Sequence, residues 1–130
     1  MFKIHTVDGG RNPAHEALPC SAITPKAGMA LTMTDGKLAV ASGTSKPLYI
    51  SMEEHAAAVT AGDEVSVIRV LPDTIFETEF SVAATSIKPG DKVTLSTDGL
   101  AVTATTTGGV AEVVSMSGAA AGDAVRVRFA

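Results

Sequence analysis

The stretch KPGDKVTLSTDGLAV, residues 88–102, repeats with small changes the stretch KAGMALTMTDGKLAV, residues 26–40. Both begin with Lys, carry Gly two positions later, and contain Asp-Gly shortly before Leu-Ala-Val. Most matched positions lie 62 residues apart, whereas the Asp-Gly pairs lie 63 apart. The second copy therefore gains one residue before its Asp-Gly pair and loses one after it. A repeat of this length indicates two related structural units.

Further matches follow both copies in the same order. LYISM (48–52) matches EVVSM (112–116), and AGDEVSV (61–67) matches AGDAVRV (121–127). Two copies are too few for a solenoid, but they suit a pseudo-symmetric pair of β units that share one core.

Each copy has the pattern of short strands joined by tight turns. In residues 124–129 apolar side chains alternate with Arg, which is the period of a half-buried strand. The Asp-Gly pairs at 35–36 and 98–99 favour hairpin turns, because both residue types tolerate positive φ. We therefore predict an all-β fold: a compact β-barrel or β-sandwich-like domain built from two pseudo-repeats of about four strands.

The repeat also divides the chain. We predict an extended N-terminal arm over residues 1–22 and a single β domain over 23–130. Within that domain, 23–71 and 87–130 are the pseudo-repeats, and 72–86 is a connecting strand whose Phe residues should line the core.

One insertion breaks the repeat. The first copy reads SMEEHAAAVTAGD where the second reads SMSGAAAGD, so the first is four residues longer. Ser51 with Glu54 three residues later is a capping box, and the following Ala residues favour helix, which predicts a short helix over 52–59. The insertion is either a loop variation without a role or a contact element for a partner or neighbouring subunit, with Glu53, Glu54 and His55 as candidate contacts.

The N-terminal segment has no match in the second copy. Its Gly and Pro residues disfavour a helix, but MFKIHTV (1–7) fits an extended strand. Such a strand can pair with its own sheet or add to another chain. Fraying of the terminus in isolation is the alternative.

The composition argues against several partners. The net charge is −4 with no basic run, whereas nucleic-acid binding requires clustered Lys and Arg. The only cysteine is Cys20, so no intramolecular disulfide can form. The start of the chain lacks the apolar core of a signal peptide, and no stretch approaches the ~20 apolar residues of a membrane span. We expect no nucleic-acid or membrane partner, and a soluble protein that folds in a reducing cytoplasm.

The residues capable of catalysis do not form a recognisable constellation. His5, His15 and His55 lack the spacing of metal ligands, and the Ser residues lack a nucleophile elbow. Asp63 and Asp123 recur after Ala-Gly in both copies, which a role in turns explains directly. The sequence therefore predicts that the protein is not an enzyme and uses no cofactor or metal.

The body of the chain resembles the small auxiliary, or decoration, proteins of tailed-phage heads. The resemblance covers roughly residues 23–130 and rests on the stretches AGDEVSVIRVLPDTIFETEFS (61–81) and KPGDKVTLSTDGLAVTATTTGGVAEVVSMSGAAAGDAVRVRF (88–129). In that family a Thr-, Ala- and Gly-rich β fold carries an N-terminal arm. The family binds the outside of the capsid lattice, often as trimers, and reinforces the shell.

The resemblance implies a partner, an assembly and a location. The partner would be the major capsid protein, and the chain would form a homo-oligomer, with a trimer favoured. Its place would be the capsid surface of a virion assembled in the host cytoplasm. The candidate capsid contacts are Phe2, Lys3, Ile4 and Arg11.

Two other functions stay open at this point. One is a different phage structural subunit, in the tail or the head–tail connector. The other is a ligand-binding β module, which ranks lower because Trp is absent and Tyr49 is the only Tyr available for stacking on a sugar.

Overall fold

The computed structural model describes residues 1–7 and 13–129, which form ten β-strands and no helix. The strands are short, as expected from a sequence rich in Val, Thr and turn-forming Gly. Their bounds are β1 (Lys3–Thr6), β2 (His15–Pro19), β3 (Ala30–Thr34), β4 (Lys37–Val40), β5 (Tyr49–Ser51), β6 (Glu64–Arg69), β7 (Ile75–Glu79), β8 (Lys92–Val93), β9 (Ala111–Met116) and β10 (Ala124–Arg128). The predicted all-β fold is confirmed.

The strands form two antiparallel sheets of five strands each. Sheet I has the order β2-β6-β5-β3-β4, and sheet II has the order β1-β7-β10-β9-β8. Isolated parallel bridges join Cys20 to Leu38 and Phe80 to Val102 outside the named strand pairs. Neither sheet closes, so of the two predicted forms the barrel is wrong.

The two sheets share the order of four strands and the registers between them. Strands β2, β6, β5 and β3 of sheet I correspond in order to strands β7, β10, β9 and β8 of sheet II. Facing residues recur at fixed offsets: Pro19–Glu64 and Glu79–Ala124 are 60 apart, and Leu31–Tyr49 and Val93–Ala111 are 62 apart. Sheet II carries β1 in addition, and the segment that corresponds to β4 pairs through two isolated bridges, from Val102 to Phe80 and to Leu95.

The predicted helix over residues 52–59 is wrong, because its backbone groups bond elsewhere. In a helix the Val59 N–H would donate to the His55 carbonyl oxygen. Instead, the Val59 N–H donates to Ile23 O at 2.9 Å, and the His55 carbonyl accepts from Lys26 Nζ at 3.0 Å. The His55 N–H donates to Pro25 O at 2.8 Å. The segment is thus held extended along the chain that precedes β3.

The first Asp-Gly pair forms the predicted hairpin turn. Asp35 and Gly36 have φ of 50° and 75°, and Thr34 lies opposite Lys37 in the β3–β4 hairpin. Positive φ at both central residues is the two-residue turn that matches the twist of the strands.

The second Asp-Gly pair forms a wider loop. Gly99 has a φ of 70°, while Asp98 accepts hydrogen bonds from Ser96 Oγ at 2.6 Å and from the Leu100 N–H at 3.0 Å. The Ser96 bond is the main cause of a lowered Asp98 pKa.

The segments on either side of the second Asp-Gly pair still pair antiparallel, through a bridge between Leu95 and Val102 and a bond from the Ser96 N–H to Ala101 O at 2.9 Å. Both Asp-Gly pairs therefore lie in hairpin turns as predicted, but only the first is a two-residue turn.

Sheet I buries side chains on both of its faces. Successive residues of β6 point to opposite faces, and both Val67 and Ile68 are buried. Ile68 joins the larger apolar cluster, which includes Phe76, Phe80 and Val127 of sheet II. Val67 joins a smaller cluster on the other face of sheet I. The larger cluster is therefore the core that holds the two sheets together.

The two turn glycines test this account of the loops. Gly36→Ala adds a Cβ in open space and should cost only the strain of positive φ, about 1 kcal/mol. Gly99→Ala carries the same strain and brings its Cβ within 3.0 Å of Ala30 O and Val40 Cγ1. Its free energy of unfolding, measured in urea, should fall by about 1 kcal/mol more. Equal losses would contradict the packing of the second loop against sheet I.

Candidate interaction surfaces

Strand β1 is an edge strand of sheet II and pairs antiparallel with β7. Lys3 lies opposite Glu77, and Ile4 lies opposite Phe76. The N–H of Phe2 donates to Gly28 O at 2.9 Å, just before β3. The N-terminal strand thus joins sheet II along its edge and contacts sheet I at its start.

The predicted capsid contacts on this strand differ in exposure. Phe2 is only 1% exposed and packs edge-on against Phe129 with ring centroids 5.5 Å apart, a favoured aromatic geometry. Its side chain therefore belongs to the core in this conformation. Lys3 is exposed and Ile4 is half-buried. Arg11 lies outside the described residues.

Gly28 permits the close approach of the N-terminal strand. It is buried with a φ of 75°, and a Cβ at this position would lie 2.7 Å from Met1 Cβ and 2.9 Å from Phe2 O. Sequence reasoning assigned Gly28 no role beyond the repeat. Its match Gly90 has positive φ too, but no atom lies near its Cβ position, so the repeat signals a turn and not the contact.

Glu53 fixes the inserted segment to strand β6. Its Oε2 accepts a hydrogen bond from the Ser66 N–H, and its Oε1 accepts one from His55 Nε2 at 3.1 Å. The Ser66 bond is the largest cause of a lowered Glu53 pKa; burial opposes it, and His55 adds to it. The structure therefore brings two of the three predicted contact residues together, both half-buried.

Glu54 bonds in a different direction. Its side chain is 61% exposed, and its Oε2 accepts from the Ala27 N–H at 2.6 Å. Lys26 Nζ lies 3.9 Å from Glu54 Oε1. Glu54 and Lys26 thus form an exposed ion pair beside the inserted segment.

An apolar groove beside β1 joins the N-terminal strand to Met52, which directly precedes the predicted contacts Glu53, Glu54 and His55. The groove has a volume of about 270 Å³, and its lining includes Met1, Ile4, Ala27 and Met52. We call it the arm groove. Because Ala27 also binds Glu54, the N-terminal strand and the inserted segment form one continuous surface, which the sequence separation conceals.

The outer face of sheet II carries charges of alternating sign. Arg126 lies 3.5 Å from Glu77, and Arg128 lies 2.8 Å from Glu112. Cross-strand pairs of opposite charge stabilise an exposed sheet face modestly. This face is polar, in contrast to the arm groove.

The comparisons with known proteins add no relative. No protein-family model matches the chain, and no curated protein matches it. Within residues 1–7 and 13–129, no group of three His, Cys, Asp or Glu is arranged to hold a metal ion. In the same part of the chain, no helix has the length and apolar character to span a membrane.

Phe2 and Lys3 give a test of the N-terminal strand. Phe2→Ala removes a fully buried ring and should lower the free energy of unfolding by about 3–5 kcal/mol. Lys3→Ala, the matched change at the exposed neighbour, should cost less than about 0.5 kcal/mol. Urea unfolding of both variants measures the difference. A Phe2→Ala loss as small as that of Lys3→Ala would show that β1 does not seal the core in solution.

The lowered Glu53 pKa predicts an acid-dependent loss of stability. The bonds to the carboxylate stabilise the fold fully above the unfolded pKa, about 4.3. This contribution is lost as the pH falls through the lower pKa of the folded state. Glu53→Gln should therefore lower the free energy of unfolding by about 1 kcal/mol at pH 7, after allowance for solvent screening.

The difference between wild type and Glu53→Gln should shrink below about pH 4. Thermal unfolding at a series of pH values checks this, with Glu64→Gln on the exposed end of β6 as the control. A deficit in Glu53→Gln that stays constant across the acid range would contradict the assigned role of the carboxylate.

Proposed function

We propose that this chain is a non-enzymatic virion structural protein that binds the outer surface of a phage capsid and stabilises the head lattice. The resemblance of residues 23–130 to head decoration proteins suggests the function, and the all-β body is compatible with it. The proposed partner is the major capsid protein, and the proposed assembly is a homotrimer on the capsid surface.

A duplicated unit is part of the proposal. The shared strand order of sheets I and II and their recurring registers support an origin of both from one ancestral unit of four strands. The features outside the duplication are β1 and the inserted segment. Elements added to a duplicated framework are natural sites for a partner.

The arm groove is the observation that carries the proposal. Its lining joins Met1 and Ile4 of the N-terminal strand to Met52 at the base of the inserted segment. Flexible thioether side chains adapt to irregular apolar surfaces. Lys3 also lines the groove, and Glu54 bonds to the N–H of the lining residue Ala27, so polar groups lie close to the apolar side chains. The surface fits an apolar side chain presented by a capsid subunit.

Binding of one arm groove to one capsid subunit can be weak in this role. A shell presents the same site many times, and a trimer would engage several sites at once. Linked contacts raise the overall affinity by about 10²–10⁴-fold without any new interaction. A small groove is therefore sufficient for stable attachment.

Co-sedimentation with phage heads assembled without this protein tests the proposal. Met52→Lys places a charge in the arm groove and should weaken binding about tenfold or more. Val82→Lys replaces an exposed apolar residue outside the groove lining and should bind as wild type does. Unfolding curves of both variants check that each is folded.

The result that would overturn the proposal is a wild-type protein that stays monomeric and never sediments with heads. Rings of the protein in electron micrographs would instead favour a subunit of the tail or the head–tail connector. Equal binding by the Met52→Lys and Val82→Lys variants would place the capsid contact outside the arm groove.

A further inference from the structure

Strands β2 and β7 hold corresponding places in the two sheets, but within residues 1–7 and 13–129 only β7 has a strand on its outer edge. The backbone bonds at their ends match at an offset of 60: the N–H groups of Cys20 and Phe80 donate to Asp63 O and Asp123 O, and their carbonyls accept from the N–H groups of Gly62 and Gly122. Strand β1 covers β7, whereas β2 ends sheet I among the described residues. The duplication therefore contains one covered edge and one open edge of the same construction.

Among the described residues, no strand pairs with the outer edge of β2 from His15 to Ala17. Cys20 directs both its N–H and its carbonyl to the β6 side. The N–H and C=O groups of successive residues alternate in direction along an antiparallel strand. The peptide groups of Glu16 therefore also point to β6, and those of His15 and Ala17 point outward. Pro19 belongs to the outward series, where its missing N–H costs no ladder bond.

The open stretch of β2 has the same length as the stretch of β7 that β1 covers. Strand β1 pairs with β7 from Ile75 to Glu77, which are the counterparts of His15 and Ala17. Among the described residues, β2 meets β4 through the bridge between Cys20 and Leu38, at the opposite end of the strand. Neither Pro19 nor that bridge obstructs the stretch of β2 that corresponds to the part of β7 covered by β1.

The side chains that a strand would meet differ between the two edges. On β7, Ile4 lies opposite Phe76, and the counterpart of Phe76 on β2 is Glu16. Glu16 Oε1 lies 3.5 Å from an Arg69 nitrogen, while its Oε2 is buried without a hydrogen-bond partner among the described residues. Two positions along the same face, Leu18 is half-buried and apolar.

We propose that the edge of β2 from His15 to Ala17 binds an extended segment of a partner polypeptide as a sixth strand of sheet I. The segment runs antiparallel to β2, as β1 runs along β7. It carries a cationic hydrogen-bond donor opposite Glu16 and an apolar residue opposite Leu18. A carboxylate with one unsatisfied oxygen gains most from a charged donor.

The N-terminal strand of a second copy fits this edge poorly. It would place Ile4 opposite Glu16, so an apolar side chain would meet the unsatisfied oxygen. Strand β1 is also committed to its own sheet through the burial of Phe2. The occupant is therefore another polypeptide, and the inference concerns the sheet edge whether or not that polypeptide comes from a capsid.

Peptides derived from β1 give a direct test with the full-length protein. The probe is the heptapeptide Met1–Val7 with Ile4→Lys, and the control is the unmodified heptapeptide. Binding at about millimolar concentration is measured by NMR of the ¹⁵N-labelled protein. The Ile4→Lys peptide should shift and protect the amides of His15 and Ala17, with an affinity about fivefold higher than that of the unmodified peptide.

Protein variants separate strand addition from other binding. Ala17→Pro removes an outward N–H and no bond to β6, whereas Ala17→Val keeps that N–H. The proline variant should lose peptide binding, and the valine variant should retain it. Glu16→Gln should abolish the preference for the lysine peptide. If Ala17→Pro fails to fold, hydrogen exchange at Ala17 in the wild type, with and without the peptide, provides the same comparison.

Three results would overturn the inference. One is an absence of shifts at His15 and Ala17 with the Ile4→Lys peptide. Another is shifts confined to β1 and β7, which would indicate exchange of the N-terminal strand. The third is protection of the β2 edge by raised protein concentration alone, which would assign the edge to a second copy. Because no capsid is involved, each result is independent of head binding.

Discussion

The contact between Phe2 and Gly28 is the constraint on which the arrangement of the two sheets depends. Phe2 extends from the edge strand of sheet II into the core shared with sheet I, and its N–H bonds to Gly28 O. A side chain at position 28 would collide with Met1 and Phe2. The same contact holds β1 along β7, completes the packing around Phe129 and forms one wall of the arm groove.

The two sheets then differ in what covers their faces. Sheet II packs one face on the shared core and leaves the other charged, so its strand β10 alternates strictly, with Val125 and Val127 inside and Arg126 outside. Sheet I buries both faces, so β6 holds Val67 and Ile68 side by side. The two sheets share a strand order but differ on their faces, because the burial of each face and not the strand order determines which side chains occur there.

The features that residue alternation and turn chemistry determine could be predicted from the sequence. Prediction failed where backbone hydrogen bonds to residues distant in the chain replace the local ones. The strands and the Asp35-Gly36 hairpin follow from local patterns. The helix prediction was wrong because the capping pattern at Ser51 is local, whereas the bonds from Val59 and His55 reach residues 23–26. The surface residues Glu53 and His55 could be named in advance, but no pattern showed that Ile4 and Met52 line one groove.

Edge protection explains why the two sheets end differently. Unpaired strand edges invite pairing with other chains, and proteins limit this with short strands, bulges and proline. Here β8 has two residues, β1 is irregular between Ile4 and Thr6, and β2 ends at Pro19. In the part of the chain that the structure describes, the stretch of β2 from His15 to Ala17 has no strand paired on its outer edge. An edge this short offers few backbone hydrogen bonds. The specificity of a strand added there must therefore come from the side chains beside the edge, and Glu16 is the polar side chain at that position.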